Sequence, residues 1–250
     1  VSILGPLAAR YAEWLRLPAE ATADVAAEEP DLVRAMPVVL RIERAEPPAR
    51  TPLLEAAASA AVAVCLDERA ADGEEWHDEL VAWVDGRIRK VARRARGAHW
   101  DAVQQLPGVT VTVDGAQARA LLPGLVAQLP KEVSRLQISG SDLPADEPGP
   151  APAGVPVLWL NPAVEMTAGK AAAQVGHATM LLAALWPDTD DWAAAGFPVA
   201  VRTPARERWA GLRPGDDPAA AWRTRGVVAV RDAGFTEIAP GTVTVLAQLP

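Results

Sequence analysis

Two stretches of this 250-residue chain repeat one order of elements at a shift of 118 residues, and that repetition limits the fold more than any single segment does. Val39-Leu-Arg-Ile42 aligns with Val157-Leu-Trp-Leu160, both apolar runs of strand length. The alanine-rich run 56–60 aligns with Gln174 to Ala178, and Gly108-Val-Thr-Val-Thr-Val-Asp114 aligns with Gly226-Val-Val-Ala-Val-Arg-Asp232. A unit of strand, helix and strand used twice predicts two tandem α/β units, because each sheet needs a helix layer to cover its apolar face.

The rest of the chain falls around these units. Residues 1–36 read as a helical arm broken at Pro18 and Pro30. Residues 37–140 hold the first copy. Residues 141–156, rich in Pro, Gly and Ala, read as a linker, and 157–250 hold the second copy. Within that copy the patterning predicts strand 157–160, helix 169–185, strand 197–202, helix 204–211, strand 226–231 and strand 242–248. The connections are short, which favours an α/β sandwich with a mixed sheet.

The chemistry concentrates in the second copy. The run Met166-Thr-Ala-Gly169-Lys170-Ala-Ala-Ala173-Gln174-Val-Gly-His177-Ala178 carries the only lysine and the only histidine of the last hundred residues. On a helix, Gln174 and His177 return to nearly the angle of Lys170, so an amine, an amide and an imidazole share one stripe. Thr167 is placed to cap the helix start, where a lysine in the first turn suits an anion. This is no nucleotide P-loop: Val164 and Ala171 stand where that motif needs glycine and a hydroxyl residue. Residues 151–250 contain no Ser, Cys or Tyr, so an acyl-serine or acyl-cysteine intermediate is excluded there. Water is then the expected nucleophile, needing a base and an oxyanion partner. Asp232, at the carboxyl end of an apolar strand, is the base candidate, and the alternative is an Asp that only organises its turn. Lys170 can bind phosphate, stabilise an oxyanion or hold Asp232 ionised. Thr242 and Thr244 share one strand face by period two.

Downstream the chain reads Asp232-Ala-Gly-Phe-Thr236-Glu-Ile-Ala-Pro-Gly-Thr242-Val-Thr244-Val-Leu. The 166–178 run resembles the Met-x-x-Gly-Lys-x-x-Ala-Gln-x-x-His-Ala signature of type-2 peptidyl-tRNA hydrolases, and the 232–246 run resembles its second half. The resemblance covers about residues 157–250. It implies a small four-stranded mixed sheet with helices on both faces, and hence two tandem three-layer α/β/α-like units behind an N-terminal helical arm. It also implies hydrolysis of the ester joining a peptide to tRNA, with Lys170, Asp232, Thr236 and Thr244 as catalytic residues. Gly169, Gln174, His177 and Thr242 become substrate contacts, His177 in an orienting role, and no metal or organic cofactor is implied. Members of that family are commonly dimers, so the first copy would make a pseudo-dimer within one chain. That copy has lost the chemistry: Pro52 stands for Lys170, Ala56 for Gln174 and Ser59 for His177, and only Asp114 is kept. Two departures stand out. Thr167-Ala168 replaces a basic residue usual before Gly169, and the segment Arg213-Pro-Gly-Asp-Asp-Pro218 is unlike the family's plain passage from helix to strand.

An RNA ligand meets a chain of net charge −8, with the surplus acid in residues 1–150. Contacts must therefore come from local patches. Arg87-Ile-Arg89-Lys90-Val-Ala-Arg93-Arg94-Ala-Arg96 is the most basic stretch. It reads either as a phosphate-binding segment or as a solvated face with Ile88, Val91 and Ala95 turned inward. Cys65, the single cysteine, lies in an apolar run and reads as a buried thiol, in keeping with a reducing cytoplasm. No apolar run is long enough to span a bilayer, no secretory leader is expected from the opening residues, and Trp76-His77-Asp78-Glu79 reads as a helix surface and not as a metal cluster. Two rival readings stay open: a non-catalytic RNA- or protein-binding relative of the fold, and a hydrolase of smaller acyl esters or amides.

Overall fold

The computed structural model describes residues 2–26, 28–235 and 237–250. The N-terminal segment holds α1 (Gly5–Arg16) and α2 (Ala19–Ala23), and the first copy follows as β1 (Arg34–Arg41), α3 (Arg50–Leu66), α4 (His77–Asp85), β2 (Arg89–Ala95), α5 (Ala98–Val103), β3 (Gly108–Val113), β4 (Ala116–Leu121), β5 (Gly124–Leu125) and α6 (Lys131–Ser134). The second runs β6 (Val157–Leu160), α7 (Ala168–Leu185), α8 (Asp190–Ala194), β7 (Ala200–Arg202), α9 (Arg206–Leu212), α10 (Pro218–Arg225), β8 (Val227–Arg231) and β9 (Val243–Gln248).

Both copies build the same mixed sheet. The strand order is β2-β1-β4-β3 in one, with β5 added to β1, and β7-β6-β9-β8 in the other. In each, the first two strands are parallel and the remaining pairs antiparallel. Pro37 sits within β1, yet it breaks no ladder bond: on that side β4 pairs from Val38 onward and β5 pairs at Arg34 and Ala35, leaving the residue without an N–H in the gap.

Alternation along the strands divides the core into layers. Val38, Leu40, Leu158, Val228 and Val230 join one large core with α3 and α7. Their neighbours face outward, Val39 to Trp100, Val103 and Leu136, and Trp159, Val227 and Leu246 to Trp209. Helices therefore cover both faces of each sheet. The two long helices share the middle layer and are buried on nearly every side. Alanine makes this possible, since it is the best helix former and lets backbones approach. Thr179 Oγ1 donates to Ala58 O at 2.8 Å across the pair. A Cβ on Gly176 would stand 3.0 Å from the Cβ of Ala61.

The structure refines three expectations. In residues 1–36, α1 and α2 lie on either side of Pro18, β1 already begins at Arg34, and α1 lies against the edge strand β8, where Ala229 N donates to Tyr11 Oη at 2.8 Å and Trp14 Nε1 to Arg231 O at 3.3 Å. Residues 141–156 hold no helix or strand but are docked, with Asp146 accepting from Thr51 N and Oγ1, and Ser141 buried at the start of α7. The expected strand 197–202 shrinks to 200–202, because Phe197 takes φ 59° in a turn closed by its N–H to Trp192 O. The unusual passage at 213–218 leads into α10, capped by Asp217 with Pro218 in its first turn.

Candidate active site

The stripe on α7 and the end of β8 meet. Thr167 Oγ1 accepts from Lys170 N at 3.1 Å and caps α7 as its sequence predicts, while Glu237 takes the Thr167 hydroxyl at 2.7 Å. Lys170 Nζ donates to Asp232 Oδ2 at 2.6 Å, and Gln174 Nε2 donates to the same oxygen at 2.8 Å. Thr244 Oγ1 donates to Gln174 Oε1 at 2.5 Å, which fixes the amide with its NH₂ toward the carboxylate. The other carboxylate oxygen accepts from Gly234 N at 2.7 Å. The side chains of Lys170 and Asp232 are only 10% and 5% exposed, so the pair is screened little by water.

Backbone geometry sets this up. The register shifts at Val230/Arg231, where Val230 faces Val245 but Arg231 faces Val243. Thr244 falls in that bulge and turns its hydroxyl toward α7, as bulges re-aim side chains beside sites. Asp232 N donates to Thr242 O and Gly241 N to Asp232 O, closing the base of a loop over 232–242. Gly234 takes φ 83°, and a Cβ there would meet Pro240 Cα at 2.7 Å.

The remaining expected residues are placed less uniformly. Gly169 donates its N–H to Ser141 Oγ at 3.0 Å at the helix start. The Thr242 hydroxyl donates to Ala239 O at 2.8 Å, so it holds the loop and does not share a strand face with Thr244. Thr236 lies outside the described residues. His177 does not face Asp232. Its Nδ1 stands 3.1 Å from Lys90 Nζ, contributed by β2 of the first copy. Burial, then the charges of Lys90 and Lys170, hold the His177 imidazole well below its ordinary range, so it is neutral at pH 7. Burial also brings Lys90 down to about 7, with a smaller opposing effect from Cys65. Sequence spacing shows the lysine but not this pairing, because β2 meets α7 only through tertiary packing.

The basic stretch forms the edge strand β2. Ala92 and Ala95 are its buried positions, and Ile88 and Val91 are half-buried. Arg87 and Arg89 pair with Glu28 and stand 5.8 Å and 5.1 Å from the ring centre of Phe235, which sits on the Asp232 loop. Arg93 donates to Leu136 O at 2.8 Å, and Arg94 Nε to Ser139 O at 3.0 Å. His77 Nδ1 donates to Ala70 O at 3.0 Å, and among the described residues no three His, Cys, Asp or Glu side chains gather as a metal site.

The repeat also reads differently in three dimensions. Leu40 pairs with Ala118, itself opposite Val111, and Leu158 pairs with Ala247, itself opposite Val228. By that register Asp114 corresponds to Arg231 and not to Asp232. Asp114 is exposed at φ 46°, followed by Gly115 at φ 81°, the chemistry of a two-residue hairpin turn. Its retention belongs to the turn, and the second copy replaces that turn with the 232–242 loop. Ser59, at the place of His177, donates to Phe197 O at 2.8 Å, and Glu55 accepts from Val201 N and Arg202 Nη1 at 2.9 Å, so the first helix spends its stripe on packing.

No family model matches the chain, and no curated protein sequence or solved structure matches it significantly.

Proposed function

We propose that the second copy is a type-2 peptidyl-tRNA hydrolase-like esterase that cleaves the ester between a peptide, or an N-blocked amino acid, and the 3′ ribose of tRNA. The observation that carries this reading is the 2.6 Å pair of Lys170 Nζ and Asp232 Oδ2, oriented by Gln174 and Thr244. In this scheme Asp232 takes a proton from water as the water oxygen attacks the ester carbonyl. Lys170 stabilises the tetrahedral oxyanion, and collapse expels the ribose oxygen, which recovers the proton. Phosphate contacts from Arg96, and from the donors of Arg94 left over from its bonds to Ser139 and Gln137, serve the tRNA. Arg87, Arg89, Lys90 and Arg93 are engaged within the protein and serve the fold.

The test is release of N-acetyl-aminoacyl groups from tRNA by wild type beside Lys170→Ala and Asp232→Asn. The expected loss is on the order of 10²–10³ in rate for Lys170→Ala, with folding intact by circular dichroism. One observation favours a second reading: both Asp232 oxygens already accept hydrogen bonds, as a structural carboxylate would. A non-catalytic RNA- or protein-binding role follows from it, and clean wild-type protein that releases nothing would decide for that role. Cleavage of small esters but not of charged tRNA would decide for a smaller acyl substrate.

A further inference from the structure

A cavity of about 300 Å³ opens beyond the ends of β1 and β2, lined by Arg44, Arg94, Arg96, His99, Arg135 and Gln137 among others, with no carboxylate in its wall. This is unexpected in the half of the chain that carries the surplus acid. Elsewhere in that half Arg34, Arg41, Arg69, Arg87 and Arg89 each meet a carboxylate. Among the described residues, the four arginines of the cavity form no ion pair. The nearby Glu43 carboxylate accepts instead from Arg41 Nε at 3.0 Å and Gly97 N at 3.4 Å.

Two of the four are held in place. Arg94 donates from Nε to Ser139 O and from Nη2 to Gln137 Oε1, while its backbone N donates to Gln137 O at 2.9 Å. Arg135 Nε donates to Lys131 O at 2.9 Å. Each guanidinium keeps further N–H donors, and among the described residues the side chains of Arg44 and Arg96 make no hydrogen bond. Arg94 and Arg135 are thus fixed planar forks with spare donors, and the four cations outnumber the one carboxylate that feels them, Glu43 near Arg96, a balance that suits phosphate oxygens. The cavity is also joined to the candidate active site. The segment 137–141 that buttresses Arg94 ends at Ser141, whose O and Oγ accept from Ala168 N and Gly169 N, next to Lys170.

We propose that this cavity binds backbone phosphates of an RNA strand, so that the copy without the catalytic stripe grips the nucleic acid while the other copy holds its reactive end. The inference rests on the hydrolase reading for the identity of the RNA, but not for the existence of the site. The test measures binding of labelled deacylated tRNA by anisotropy against salt, with inorganic phosphate and pyrophosphate as competitors. Wild type is compared with Arg44→Ala, Arg96→Ala and the double variant. The slope of log affinity against log salt should fall by about 0.7–0.9 per arginine removed. On unaltered protein, tRNA should protect Arg44 and Arg96 from phenylglyoxal, read by mass spectrometry, which covers the case of a variant that fails to fold. An unchanged slope and no protection overturn the proposal. Uptake of pyrophosphate without tRNA binding overturns it too, leaving a free-phosphate pocket. Arginine-dependent tRNA binding without any ester release keeps this site and removes the hydrolase reading. Release with arginine-independent binding does the reverse.

Discussion

Lys90 shows how one residue couples the two copies. Its stem crosses α7 where a Cβ on Gly176 would stand 3.1 Å from Lys90 Cδ, and its ammonium lies 3.1 Å from His177 Nδ1 and 5.0 Å from the Trp83 ring centre. Burial depresses its folded-state value from 10.5 to about 7. The unfolded chain therefore binds more protons between these values, and stability from this group rises with pH across that window and is lost as pH falls toward 7. Lys90→Met should accordingly be more stable than wild type at pH 7, with the gap closing as pH approaches 10. Urea melts of both proteins at pH 7, 8, 9 and 10 measure this, and a gap that does not change with pH refutes it. Thr244 offers a second test at this scale. Its hydroxyl is buried and fixes Gln174, so Thr244→Val leaves a buried amide oxygen without its donor, at a cost of about 1–3 kcal/mol. The same change should slow ester release by freeing the amide that orients Asp232.

At the scale of elements, much of the fold is legible in short patterns. Helix 169–185 is expected and α7 spans 168–185; strand 157–160 is found as expected. Lys170, Gln174 and Asp232 converge because helical spacing and a strand end are local properties. What fails is decided elsewhere. His177 shares the Lys170 stripe, but seven residues carry it about 10 Å along the axis, where it meets β2 and not Asp232. Period two puts Thr244 on one strand face with Thr242, yet the bulge at Val230/Arg231 breaks that period. Helix α10 has no counterpart among the expected elements although Asp217-Pro218 is a helix-start signal, because the prolines and glycine around it are turn formers. Glycine 176 carries a prediction of its own. Gly176→Ala adds about 1 kcal/mol of helix propensity, but its Cβ would press on Ala61 and Lys90 at 3.0 and 3.1 Å. Overpacking between two buried helices costs about 1–3 kcal/mol, so the variant should melt at lower denaturant than wild type.

For the whole molecule, the repeat has consequences that a reading as two tandem units misses. Sheets of identical strand order enclose α3 and α7, and one core runs through residues of both copies, from Leu54 and Val64 to Val175 and Met180. Each long helix also rests on the other copy's outer parallel strand: Lys90 and Ala92 of β2 meet α7, while Glu55 of α3 binds Val201 and Arg202 of β7. The edge of the second sheet is closed by α1, whose Tyr11 and Trp14 bond to β8 across more than two hundred residues. Separating the copies would expose the apolar faces of α3 and α7 and open that edge, which favours aggregation. Residues 151–250 expressed alone should therefore lack a cooperative melting transition, even though they contain Lys170, Asp232, Gln174 and Thr244. Co-expressed as two chains, 1–147 and 148–250 should instead recover one complex with a single transition. A 151–250 fragment that melts cooperatively and releases acyl groups from tRNA by itself would show that the first copy is an appendage and not half of the core.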